Sequence, residues 1–125
     1  MTKIQPELWV DRGPSAVAFY RAAFGAEVLH RVGEGEDIVA QLEVDGACFW
    51  VAAVRGSSDR KVPQQIAGAT ARFLLMVDDP HGVHATALKA GARNVSDVHS
   101  EHGWTVGRVV DPFGHEWEIG QPEHG

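Results

Sequence analysis

One cysteine in 125 residues leaves little scope for covalent cross-linking. Cys48 has no second cysteine in the chain, which excludes an intrachain disulfide and a zinc site of clustered cysteines. Basic residues are scarce as well: 11 Lys and Arg stand against 17 Asp and Glu, a formal net charge of -6. A nucleic acid needs a basic face to meet its phosphates, and an anionic membrane needs the same, so neither is expected as a partner. Long apolar runs are also missing. The stretch MTKIQPELWV holds none that would serve as a signal peptide or a membrane span, and a reducing cytoplasm is the expected location. What is present is an ordinary globular balance, 44% hydrophobic and 22% charged residues. The length suits one compact domain or two small halves sharing a core.

The chain repeats itself. IQPELWVD alternates apolar and polar residues and reads as a strand. GPSAVAFYRAAFGAEV follows, with Pro14 suited to a first helical turn and Ala16, Val17, Phe19, Tyr20 and Phe24 forming an apolar stripe. Gly25 suits a left-handed stop. Strands are then expected over about 26–32, 37–44 and 47–54, with Val44–Gly46 as a hairpin turn. The polar stretch RGSSDRKVPQQIAGAT reads as a linker, after which the pattern restarts. ARFLLMVDD is a strand, PHGVHATALKAGA a helix stopped near Gly91, and RNVSDVHS, WTVGRVVD and HEWEIG are three more strands. LWVDR…AAFGAEV matches LMVDD…LKAGARNV, so the unit is an internal repeat of β-α-β-β-β. The expected class is α+β, a single domain over 1–125. Module one covers about 1–55, a linker about 56–70, module two about 71–120 and a tail 121–125. Each unit alone exposes one sheet face and one helix stripe. Two units must therefore pair, curving around a cleft of the kind that binds ligands.

The most informative segment is DPFGHEWEIG. Asp, Pro and Gly occupy the first, second and fourth places of a type I turn. Alternation along the strand after it puts Glu116 and Glu118 on one face and His115, Trp117 and Ile119 on the other. Trp117 and Ile119 belong in the core, which turns both glutamates to the concave side. They could simply solvate that face. The first strand argues for more: with Leu8 and Val10 inward, Gln5, Glu7 and Trp9 join the concave side, an apolar wall with a few polar groups.

These features together resemble the vicinal oxygen chelate superfamily, which includes glyoxalase I, bleomycin resistance proteins and extradiol dioxygenases. AVAFYRAAFGAEV is similar to its first-helix signature and DPFGHEWEIG to its C-terminal one. ELWVD, FYRAAFGAEV and GRVVDPFGHEWEI resemble the PhnB-like branch most closely. The resemblance implies the glyoxalase/bleomycin resistance/dihydroxybiphenyl dioxygenase fold, and a homodimer. In metal-using members four positions supply ligands, one on the first and one on the last strand of each unit. Carried onto this chain they fall on Gln5, Trp50, Arg72 and Glu118. Gln5 and Glu118 fit the pattern. Arg72 has no lone pair to give, and around Trp50 only Cys48 or Ala52 is offered by a shift of two. A firmly held divalent ion needs about three or four protein ligands, so the expectation is no metal cofactor. An Arg72–Glu118 ion pair would take its place as a handle for an anionic or polar ligand.

Other candidates have plain readings. His81 and His84 lie one turn apart on a helix face expected to be solvated. His99 and His102 sit in a polar turn, either mobile surface or the cleft mouth. His115 is expected to cap the hairpin locally, and His124 to fray. Trp9 and Trp50 are the pocket tryptophans. Arg108 is expected opposite Trp117 as a cation–π pair, and Cys48 as a small buried hydrophobe.

Two functional classes follow. The first is a small-molecule-binding protein similar to bleomycin resistance proteins, with Gln5, Glu7, Trp9, Trp50, Arg72, Glu116 and Glu118 lining the cleft. The second is a glyoxalase-like lyase or isomerase in which Zn, Ni, Mn or Fe, held by Glu118, acts as Lewis acid. A metal-free enzyme with Glu116 or Glu118 as general base lies between them. The missing ligands favour the first.

Overall fold

The computed structural model describes residues 1–55 and 59–123. His124 and part of the expected linker, 56–58, lie outside the described residues. Module one runs β1 (Glu7–Val10), α1 (Gly13–Phe24), β2 (Glu27–Val32), β3 (Val39–Val44) and β4 (Ala47–Ala53). Module two repeats the order with β5 (Arg72–Met76), α3 (Pro80–Lys89), β6 (Arg93–Glu101), β7 (Trp104–Val110) and β8 (Glu116–Pro122). The strands form two four-stranded mixed sheets, ordered β1-β4-β3-β2 and β5-β8-β7-β6. In each, the first strand runs parallel to the last and the other pairings are antiparallel.

Local chemistry explains the boundaries. α1 carries Pro14 in its first turn and ends at Gly25 in the left-handed conformation, φ 70°, where Gly25 N–H bonds Arg21 O. α3 begins at Asp79, whose Oδ1 accepts Gly82 N–H at 3.1 Å. β3 starts at Val39, two residues later than expected, because Gly35–Asp37 forms a single 3-10 turn. The supposed linker is not all irregular: Pro63–Ile66 forms a short helix, α2, anchored by buried Val62 and Pro63. Four residues are too few to leave a helical period in the sequence, which is why the segment reads as a loop.

The two modules share one core. Tyr20 of α1, fully buried, meets Phe49 of β4 at 5.2 Å and Trp117 of β8 at 5.7 Å, so one helix collects aromatic rings from both sheets. Asp111 locks the junction. It is buried beneath the turn before β8, and its side chain accepts four hydrogen bonds. They come from Tyr20 OH, Trp117 Nε1 (3.0 Å), Phe113 N (2.9 Å) and His115 N (3.0 Å). Burial, and then the neighbouring Asp111 carboxylate, push the Tyr20 phenol well above its ordinary pKa.

One register expectation fails. Arg108 lies opposite Glu118, and Val109 opposite Trp117. A miscount of one residue across a hairpin moves a side chain to the other face, so Arg108 points away from the core and makes no stack on Trp117.

Candidate functional site

With Trp117, Ile119, Leu8 and Val10 inside, the opposite face of each sheet is open, and the two open faces differ in chemistry. On the first sheet, Gln5 Oε1 accepts both Trp50 Nε1 (2.8 Å) and Gln41 Nε2 (3.0 Å). Beside them Glu7 Oε2 accepts Trp9 Nε1 at 3.0 Å. Both indole N–H groups are thereby satisfied, and what they leave for a ligand is ring surface.

The second sheet carries a ladder of ions. Arg72 lies opposite Glu116 and Leu74 opposite Glu118 in the β5–β8 register. Arg72 reaches Glu116 at 3.7 Å and Glu118 at 3.8 Å, too long for hydrogen bonds, and its side chain is 46% exposed. Arg108 is held harder. Its Nε donates to Glu118 Oε1 at 2.9 Å and its Nη2 to Glu101 Oε2 at 2.5 Å. The bond from Arg108 depresses the Glu101 carboxyl, and the bond to Glu101, supported by Glu118, raises the Arg108 guanidinium. His99 extends the row, 3.8 Å from Glu101. Three carboxylates therefore face two guanidiniums.

Residues expected in one cleft thus divide among three places. Gln5 and Trp50 lie on the first open face, and Arg72, Glu116 and Glu118 on the second. Glu7 and Trp9 line a cavity of about 410 Å³ at the seam between the modules, with residues of β1 and β5, an edge strand of each sheet, in its wall. Leu8 and Trp9 supply its wall from module one, Phe73 and His115 from module two, and Pro63 and Ile66 of α2 cover it. His115 closes the seam: its Nε2 lies 2.8 Å from Trp9 O. Its ring therefore joins the modules across 106 residues of sequence, while its backbone bonds locally as expected, His115 N donating to Asp111 Oδ1 at 3.0 Å.

Two more readings are corrected. His84 is not solvated; it is 6% exposed, with Nε2 3.1 Å from both Asn94 Oδ1 and Ser96 O on β6. The sheet curls over that helix face, which no local spacing reveals. Cys48 is half-buried and lines a second cavity of about 260 Å³ with Phe49, Phe73 and Trp117. Reading by strand also missed Phe73, His115, Gln41, Arg108, Glu101 and the buried role of Asp111. A correct count across DPFG would have found Arg108; Phe73 and His115 depend on how the modules meet.

The donor set does not suit a divalent ion. Of the four positions, Trp50 and Arg72 are donors without lone pairs. Gln5 Oε1 is taken by two N–H groups, and Glu118 is bracketed by two guanidiniums. Among the described residues no three His, Cys, Asp or Glu side chains converge to hold a metal.

Comparison with known proteins agrees with the architecture. The Glyoxalase-like domain family matches residues 8–120. An uncharacterized protein of Mycobacterium bovis is 35% identical over 126 aligned positions, covering 95% of this chain and 82% of its own. The crystal structure of a gene product from Arabidopsis thaliana superposes with a TM-score of 0.78 at 27% identity, covering 97% of this chain and 99% of that one. A glyoxalase/bleomycin resistance protein/dioxygenase family enzyme from Burkholderia phytofirmans superposes with a TM-score of 0.72. It is 16% identical and covers 93% of this chain and 94% of its own, a likeness of fold.

Proposed function

The chain belongs to the Glyoxalase-like domain family, and from that premise we propose that it binds a small organic molecule between its two modules without a metal. The observation that carries this is the seam cavity. Its volume, about 410 Å³, falls in the range of small-ligand sites, and aromatic and aliphatic walls enclose a few polar groups. Two edge strands from different modules build it, the arrangement by which a duplicated fold makes a pocket that neither half has alone.

The metal-dependent lyase reading is set second because the donors do not fit, and no step is derived through an ion. The wording of the helix and turn motifs supports placement in the PhnB-like branch. A homodimer belongs to the same proposal: Leu74 and Met76, 56% and 64% exposed, stand beside the ion ladder as an apolar strip that a second copy would cover. Cytoplasmic residence goes with it.

The test has two arms. The purified chain is offered Zn, Ni, Mn and Fe in turn, desalted, and its metal counted; retained metal well below stoichiometric is expected, whereas a full equivalent lost in Glu118→Gln would overturn the metal-free reading. A fragment library is then titrated against intrinsic fluorescence in the parent and in Trp9→Phe. Saturable binding whose signal is lost with Trp9 is expected. No saturable binder would contradict the proposal.

A further inference from the structure

We propose that the ligand of the seam cavity is a small organic cation, an ammonium group on a compact apolar or aromatic body; this rests on the binding function proposed above. Carboxylates outnumber cationic side chains in its lining. Glu7 lines the cavity, and its Oε2 accepts the Trp9 indole N–H at 3.0 Å. His115 lines the same cavity. A carbonyl can only accept, so the 2.8 Å contact from Nε2 to Trp9 O places the ring proton on Nε2.

Charge points the same way. Glu7 and Asp59 line the cavity against one ammonium, Lys61. Arg72 does not line it; its head group faces Glu116 and Glu118 on the open side of β5. An anionic ligand would meet two carboxylates and one ammonium. A cation meets those carboxylates together with the rings of Trp9 and Phe73, whose faces attract positive charge. The net charge of -6 raises the local concentration of cations around the whole chain. The ladder on the second sheet, three carboxylates to two guanidiniums, offers an anion no better site.

Three probes of one shape separate the possibilities: naphthylmethylamine, naphthylmethanol and naphthoate, titrated into the full chain with the Trp9 indole N–H and the His115 ring as NMR reporters. The amine is expected to bind roughly tenfold or more tighter than naphthoate, with the alcohol between them. Glu7→Gln should weaken the amine by about threefold to tenfold and leave the alcohol unchanged. Raising salt should weaken the amine alone. Naphthoate binding as tightly as the amine would overturn the charge assignment and leave small-molecule binding intact. An amine preference unchanged in Glu7→Gln would overturn the placement at Glu7. If no probe shifts either reporter, the cation proposal falls; if library fragments also leave both reporters unmoved, the binding function falls with it.

Discussion

The two modules share an element order and differ in what they show to solvent. Module one ties its open face with neutral groups, an amide oxygen of Gln5 between Gln41 and Trp50. Module two ties the corresponding face with ions, Arg72 and Arg108 threaded among Glu116, Glu118 and Glu101. Each inner face packs mainly on its own module's helix, α1 on β3 and β4 and α3 on β6, β7 and β8, and the two helices meet. The outer faces differ, and among the described residues no three His, Cys, Asp or Glu side chains converge on either.

That contrast can be broken most severely at its joint. Asp111→Ala would leave the Tyr20 hydroxyl, the Trp117 indole and two backbone N–H groups without an acceptor in a buried site. A loss of about 3–5 kcal/mol is expected, read from urea unfolding. An unchanged midpoint would show that the modules hold together without it.

The next effects separate the faces. Arg108→Leu removes the stronger guanidinium from Glu118 and Glu101, and a small loss of stability, screened by solvent, is expected in urea unfolding. The depressed Glu101 carboxyl gives this deficit a pH signature. The folded state binds that proton less tightly than the unfolded chain, so the contribution is present above the ordinary carboxylate range and is lost as pH falls through the lowered folded value. The gap between parent and Arg108→Leu should therefore close in acid. Gln5→Ala should cost about 0.5 kcal/mol, and its deficit should ignore both acid and about 0.5 M salt, since no ion is involved. Equal salt sensitivity in the two variants would erase the distinction.

The smallest effect lies at alkaline pH. The Tyr20 phenol is raised, so its contribution is intact below about pH 10, the unfolded tyrosine value, and is lost as pH rises toward the higher folded value. Tyr20→Phe should flatten the alkaline limb of the stability profile. A limb of unchanged slope would remove Tyr20 as its source.

Much of this was legible from periodicity. Alternation placed Trp117 and Ile119 inside and Glu116 and Glu118 outside, and the repeated strand–helix–Gly-Ala pattern gave the two-module α+β fold. What stayed hidden was set by distant packing. His84 and His81 are one turn apart on α3, yet β6 covers only His84. His115 looks like a turn residue, and its partner is a backbone carbonyl on β1. Arg108 was within reach: its face follows from counting through DPFG, and one slipped residue turned an ion-ladder member into an aromatic contact. The seam cavity had no signal of its own, since α2 is too short to show a period and edge strands do not announce their neighbours.

The most direct measurement of the central claim is a map of where fragments land. Amide and indole NMR shifts, recorded as a fragment library is added to the labelled chain, are predicted to move at Trp9, Phe73 and His115. Binders that move Arg108, Glu118 and Arg72 while leaving the seam untouched would contradict the account.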